Sequence, residues 1–345
     1  MSIARSRFSN GVLALLACFC LTPGCQKSTP DSSKSVEILN VSYDPTRELY
    51  HDLNAALSAS HERATGVKVT IRQSHGGSSS QARAVVDGLE ADVVTLALWS
   101  DVDLLRKKGL IADGWEDRLP NHSLPYTSTV VFVVRNGNPK AIRDWPDLIR
   151  HGVEIITPNP KTGGGAKLNF LAAWGSVTLR GGSLNEAEAF VTQLYKQVPV
   201  LDSGARAATI TFSQKNIGDV HLTWENEAHL EVAESKGDLE IVYPPISIQA
   251  EPTVAVVDAV VQRKQTDMVA EAYLRFLYGP EAQEIIAQRH YRPTDPEVRR
   301  KHIADFPEIE LFPVTAIAKD WGDAFEKFFG DGAVFDRIFD QKPAS

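Results

Sequence analysis

The chain of 345 residues carries three cysteines, and its body has none of them: Cys18, Cys20 and Cys25 all fall within the first 25 positions. Whatever folds after Cys25 does so without disulfides and without a thiol nucleophile. The catalytic signatures G-x-S-x-G, H-E-x-x-H and C-x-x-C are absent, and so is the nucleotide loop G-x-x-x-x-G-K-[ST]. Nine histidines are dispersed along the chain, and no His, Cys and carboxylate grouping has the spacing of a metal site. Basic residues are scattered, and the net charge is −8 with a pI near 5.6, which argues against a nucleic-acid partner. No cofactor, metal or catalytic residue is therefore expected, and enzymatic readings fare poorly.

Long apolar runs are also lacking. The one candidate, GVLALLACFCL at 11–21, follows Arg5 and Arg7 and is too short to span a bilayer, so residues 1–25 read as an export signal. Gly24 and Cys25 resemble the end of a bacterial lipoprotein signal, in which the cysteine becomes the lipidated first residue. Leu21 lies one position farther from Cys25 than the usual pattern places its aliphatic residue. A lipid anchor at Cys25 and simple cleavage both stay open. QKSTPDSSKS (26–35) has the polar composition of a flexible tether and suits either outcome. The expected location is extracytoplasmic.

What is present is an α/β pattern long enough for two lobes, with 43% apolar residues to build their cores. VEILNVSYD (36–44), VKVTIRQS (67–74) and ADVVTLAL (91–98) read as strands, each followed by a helix-like stretch. Pro45 suits a first helical position and Gly66 a helix end. Ser100 and Asp103 form a capping-box pattern, which also accounts for the pair Asp101 and Asp103. A second set follows YTSTVVFVVRNGNP (126–139): helix DWPDLI, strand VEIITP, two helices over LNFLAAWGSVTL and NEAEAFVTQLYKQV, and strand DVHLTW. LEIVYPP and EPTVAVVDAVV read as further strands, and the tail from Thr266 as largely helical. Repeated β-then-α order predicts mostly parallel sheets, with ligands outside the carboxyl ends of the strands.

Three strand-to-helix junctions stand out: SYDPTRE (42–48), SHGGSSSQ (74–81) and PKTGGGAK (160–167). Small or capping residues at a helix start serve as turn chemistry in most proteins, and each loop alone carries little. Together they leave backbone N–H groups free, and three converging helix starts supply roughly +1.5 charges. Such a pocket holds a dianion without burying a lysine or arginine, whose desolvation costs several kcal/mol. Offering donors only, it favours a fully ionised, sulfate-like anion over a protonated phosphate. Trp224 is by default a core aromatic, although its donor-only indole N–H suits the same pocket. LDSGARAAT (201–209) reads equally as an ordinary loop and helix start. His75 reads as a solvated or supporting residue rather than a base.

NVSYDPTRELY, IRQSHGGSSSQA, EADVVTLAL, LPYTSTVVFVVRNGNPK, ITPNPKTGGGAK, LAAWG, VLDSGAR, GDVHLTWENEA and AEPTVAVVD, in this order, closely resemble the periplasmic sulfate-binding proteins of bacterial ABC importers. The resemblance runs from about Ile38 to the final helices. It implies a type II periplasmic-binding-protein fold with two α/β lobes, two chain crossings and an anion cleft between the lobes. Lobe 1 would comprise 36–126 and 250–345, and lobe 2 would comprise 127–249. Carried over by position, it implies backbone N–H donors at Asp44, Ser78, Gly164, Gly165 and Ala205 and an indole donor at Trp224. The family loop commonly reads PKSSGGAR, so Gly163 stands where a serine hydroxyl is usual, with Thr162 or a water as substitutes; Lys167 replaces the common arginine. The implied function is a monomeric periplasmic receptor that captures sulfate and docks on a membrane permease. Thiosulfate is the rival ligand, and a secreted sulfate or phosphate ester hydrolase is the rival of another class.

Overall fold

A computed structural model describes residues 35–340. The expected signal with Cys25, and the tether up to Lys34, lie outside the described residues. In chain order, β1 (Ser35–Tyr43) leads through a 3-10 turn at Asp44–Thr46 into α1 (Arg47–Thr65). Leu49, Leu53 and Leu57 share one buried face of α1 with Tyr50, and Gly66 closes the helix at a φ of +71°. β2 (Lys68–Gly76), α2 (Ser78–Val86), β3 (Val93–Leu96) and α3 (Trp99–Lys107) follow, then a short turn, α4 (Pro120–Ser123). β1 pairs in parallel with β2 and with β3, as the alternation of strand and helix requires. β3 is buried along its whole length because helices cover the sheet.

β4 (Tyr126–Arg135) begins the second sheet, followed by β5 (Ile155–Pro158), α5 (Gly164–Thr178), α6 (Leu184–Lys196), β6 (Leu201–Asp202) and α7 (Ala205–Thr209). Next come β7 (Val220–Trp224), α8 (Glu225–Glu234), β8 (Leu239–Val242), β9 (Ile246–Ala250) and β10 (Thr253–Val256). α9 (Asp258–Lys264), α10 (Asp267–Phe276), α11 (Pro280–Gln288), β11 (Arg292–Pro293), α12 (Pro296–Lys301), β12 (Glu310–Phe312), α13 (Trp321–Phe328) and α14 (Val334–Asp340) complete the described chain. The first sheet runs β10-β3-β1-β2; the second runs β12-β9-β4-β7-β5-β6, with β8 and β11 also pairing β4. The chain passes between the sheets at the start of β4, again from β9 to the antiparallel β10, and a third time after β10, since β11 and β12 pair with β4 and β9.

Several expectations change on contact with tertiary structure. DWPDLI forms a 3-10 turn, capped reciprocally by Asp144 and Asp147. The strand expected over EPTVAVVDAVV stops at Val256, and α9 begins two residues later. α3 has Leu98 as its N-cap and no side-chain cap, so the Ser100–Asp103 box does not form. Asp103 instead pairs with Arg106 and Lys107, and Asp101 accepts hydroxyl bonds from Ser78 and Ser79. The block 250–345 does not stay with the first sheet. β12 pairs with β9 of the second, Phe312 lies flush against Gly175 of α5, and Phe328 and Phe335 pack around Phe170. The apolar residues of this tail show that it is buried, but not against which lobe.

Candidate functional site

α2, α5 and α7 start at one cavity of about 20 Å³, room for little more than a small ion where a single water needs roughly 10–15 Å³. The first lobe supplies Asp44, at the end of β1, and the Gly77–Ser78 start of α2. The second supplies Gly163 to Gly165 at the start of α5, and Gly204 with Ala205 at the start of α7. No lysine, arginine or histidine lines the cavity. Its one carboxylate, on Asp44, is paired with Arg47 at 2.9 Å.

The three helix starts share a feature with a direct electrostatic meaning. Gly77, Gly163 and Gly204 are their N-caps, and no side chain caps any of them. α1, α3, α8, α9, α10 and α11 lack a side-chain cap as well, whereas Ser183, Asp295 and Asp320 cap α6, α12 and α13; what sets α2, α5 and α7 apart is that all three open on one cavity. The first N–H groups of an uncapped helix have no intrahelical acceptor and sit at its positive end. An anion in the cavity meets both needs at once.

Trp224 does not line the cavity but carries a buried side-chain donor beside Gly165, which does. Only 1% exposed, it keeps its indole Nε1 without a hydrogen-bond partner. The nitrogen lies so close to Gly165 that a Cβ there would stand 2.5 Å from it. Tyr43, from the other lobe, rests its ring against the indole at 5.2 Å between centroids. An unpaired buried N–H costs about 1–3 kcal/mol, which a ligand acceptor would recover.

The Ser78 hydroxyl is already engaged, donating to Asp101 Oδ2 at 2.5 Å and accepting from the Ala97 N–H at 3.0 Å. Thr162, expected as a substitute hydroxyl donor, is occupied: its one proton goes to the Ser203 carbonyl at 2.8 Å, or is shared with that of Asn159 at 3.2 Å. Gly163 lines the cavity with nothing nearer than 3.6 Å to the place of a Cβ. Lys167 is buried at 3% exposure and bonds Ser79 at 2.6 Å, so it ties α5 to α2 across the seam. Burial lowers its pKa, and nearby Asp101 opposes that shift. His75 is held between the Tyr43 carbonyl and Gln73, and burial lowers its pKa. Among the described residues no group of three or more His, Cys, Asp or Glu could hold a metal.

The lobes are further stitched by Arg206, whose guanidinium meets both oxygens of Glu48 at 3.1 and 3.2 Å, and by Asn226, which donates to the Pro45 carbonyl. Buried Glu227 stands 3.9 Å from Arg206. Sequence reasoning missed these partners, since only tertiary structure brings α1 against α7 and α8. Gly77 and Gly204 were legible in hindsight, as glycines immediately preceding helices.

Two α/β lobes joined by crossing strands, with a small donor-lined cavity at their seam, define a binding receptor of the type II periplasmic-binding-protein class. The chain belongs to the bacterial extracellular solute-binding protein family, whose model matches residues 46–292. It is 54% identical to the sulfate-binding protein of Salmonella typhimurium strain LT2 over 314 residues, 90% of this chain and 95% of that one. It is 49% identical to the thiosulfate-binding protein of Pseudomonas aeruginosa PAO1 over 304 residues, 88% of this chain and 92% of that one. Among solved structures it is similar to the sulfate-binding protein of Mycobacterium tuberculosis H37Rv, with a TM-score of 0.78 and 34% identity, covering 85% of this chain and 99% of the other.

Proposed function

We propose that this chain is a periplasmic receptor that captures sulfate between its lobes and hands it to the permease of an ATP-driven importer. Asp44, Ser78, Gly164, Gly165 and Ala205 donate through backbone N–H groups, and Trp224 through its indole. The observation that carries the reading is the set of three glycine-capped helix starts around one cavity with no basic side chain. Sulfate has no proton to donate and asks only for donors, whereas a protonated phosphate needs an acceptor as well. Donors from both lobes reach one ion only when the lobes meet, so capture favours the closed form, with bending at the start of β4 and between β9 and β10. One chain supplies every donor, so the receptor works as a monomer. A lipid on Cys25, where present, tethers it to the membrane through residues 26–35.

The test is calorimetric titration of the anion-stripped mature protein with sulfate, thiosulfate, phosphate and molybdate. Sulfate or thiosulfate is expected to bind far more tightly than phosphate. A preference for phosphate would refute the donor-only cavity, and turnover of sulfate or phosphate esters would refute the receptor reading.

A further inference from the structure

A larger pocket, of about 350 Å³, lies at the seam outside the anion cavity. Its volume falls in the range of small-molecule sites, about 300–1,000 Å³. α2 and α3 of the first lobe line one side; α5 and α13 line the other, and Phe328 of α13 packs on Phe170 and Trp174 of the second lobe. Ser79 and Arg83 reach the pocket from one face of α2, and Phe325 and Glu326 from one face of α13. Several of its charges are answered within the protein: Lys107 pairs with Asp103, Lys161 with Asp336, and Asp101 accepts from the Ser78 and Ser79 hydroxyls. Others are not. Lys167 is 3% exposed, yet among the described residues its ammonium has a single hydrogen-bond partner, Ser79 Oγ, for three protons, a costly state for a buried cation. Its Nζ stands 5.6 Å from the ring centroid of Phe325, which stays 42% exposed, and 6.0 Å from that of Phe329. Among the described residues the side chains of Arg83, Glu326 and Asp331, all at this pocket, make no hydrogen bond or ion pair.

We propose that this pocket is a second ligand site, that it takes a small zwitterion with an apolar body, an α-amino acid by chemistry, and that its occupant favours the closed lobes and so tightens anion binding. The carboxylate answers Lys167 and Arg83, the ammonium answers Glu326 and Asp331, and the apolar side chain covers Phe325 and Phe329. A plain anion would leave the two carboxylates without a partner, and a plain cation the two basic groups. The site stands apart from the sulfate reading, and the coupling rests on it. A ligand whose partners lie on both lobes binds the closed form better than the open one. By reciprocity it raises sulfate affinity by the same factor by which sulfate raises its own.

L-phenylalanine is the probe, with hydrocinnamate, which lacks the ammonium, and phenethylamine, which lacks the carboxylate, as controls. Each is titrated by calorimetry into the mature protein with and without saturating sodium sulfate. L-phenylalanine is expected to bind at one site per chain, at least about fivefold more tightly with sulfate present, and either control at least about tenfold more weakly. Arg83→Gln and Glu326→Gln each remove one charge partner, and should weaken L-phenylalanine about tenfold while sulfate alone binds as to wild type. Failure of the sulfate-loaded protein to bind L-phenylalanine, a control that binds as well, or binding that neither variant weakens would overturn the site. Binding indifferent to sulfate would overturn the coupling alone. A chain that binds no sulfate would overturn the receptor reading and the coupling with it, and L-phenylalanine binding would still decide the site. Thermal melting of each variant without ligand separates these outcomes from misfolding.

Discussion

Gly164→Ala isolates lobe closure from lobe stability. The added Cβ would lie 2.8 Å from Ala97 Cβ and 3.0 Å from Ser78 Cβ, both in the opposite lobe, where carbon atoms prefer about 3.5–4.0 Å. The lobes must then stand about 1 Å farther apart at the cavity. A hydrogen bond near 2.9 Å stretched by that much is no longer one, so the anion keeps the donors of one lobe and loses at least one or two from the other. At about 1.5–3 kcal/mol for each charge-assisted bond, affinity should fall by ~2–5 kcal/mol, or roughly 30-fold and upward. Alanine is the better helix former at the start of α5, so the unliganded protein should melt no lower than wild type. Calorimetry with sulfate gives the first quantity, and thermal melting without ligand the second. An affinity within about threefold of wild type would refute the closure argument; a large loss of unliganded stability would show that the methyl group disturbs a lobe rather than the seam.

Two further outcomes follow from groups beside the cavity. Trp224→Phe keeps the ring against Tyr43 but removes the indole N–H, so sulfate should bind ~10- to 100-fold more weakly with little change in unliganded melting; unchanged affinity would remove Trp224 from the site. Glu227 is pushed up from 4.5 to about 8 by burial, against the pull of Arg206. Between those values the unfolded chain ionises this carboxyl while the folded chain keeps it protonated, so its contribution to stability is full below pH 4.5 and is lost as pH rises through about 8. Glu227→Gln should flatten that decline in melting temperature, most visibly near pH 8, and matching slopes for the two proteins would count against it.

The alternation of strand and helix was legible because it rests on local periodicity and on boundary residues such as Pro45 and Gly66. The three glycine-rich junctions were legible for the same reason, since a strand followed by small residues and an apolar helix announces an open helix start. Trp224 and Ala205 were another matter. Their surroundings read as ordinary core and loop, and only the family resemblance placed them at the anion. β9 went unrecognised because four of its five residues are buried, which removes the polar alternation of a half-exposed strand, and Pro244 and Pro245 precede it closely. The return of β12 and α13 to the second lobe, the occupation of Thr162 and the bond from Lys167 to Ser79 all depend on residues distant in sequence, where no local pattern reaches.

Each proposed donor travels with a stitch of the seam. Asp44 precedes Glu48 by one helical turn, Ser78 adjoins Ser79, Lys167 follows Gly164 on the same helix, Ala205 adjoins Arg206, and Trp224 lies two residues before Asn226. If these donors hold the ion as proposed, gripping it and clasping the lobes would be a single event, written into the same few short segments. On the proposed reading, the molecule would offer its membrane partner two shapes with little between them. An importer that recognises the clasped shape counts occupied receptors one by one, and the concentration of the anion reaches it as a number of closed molecules rather than as a graded strain.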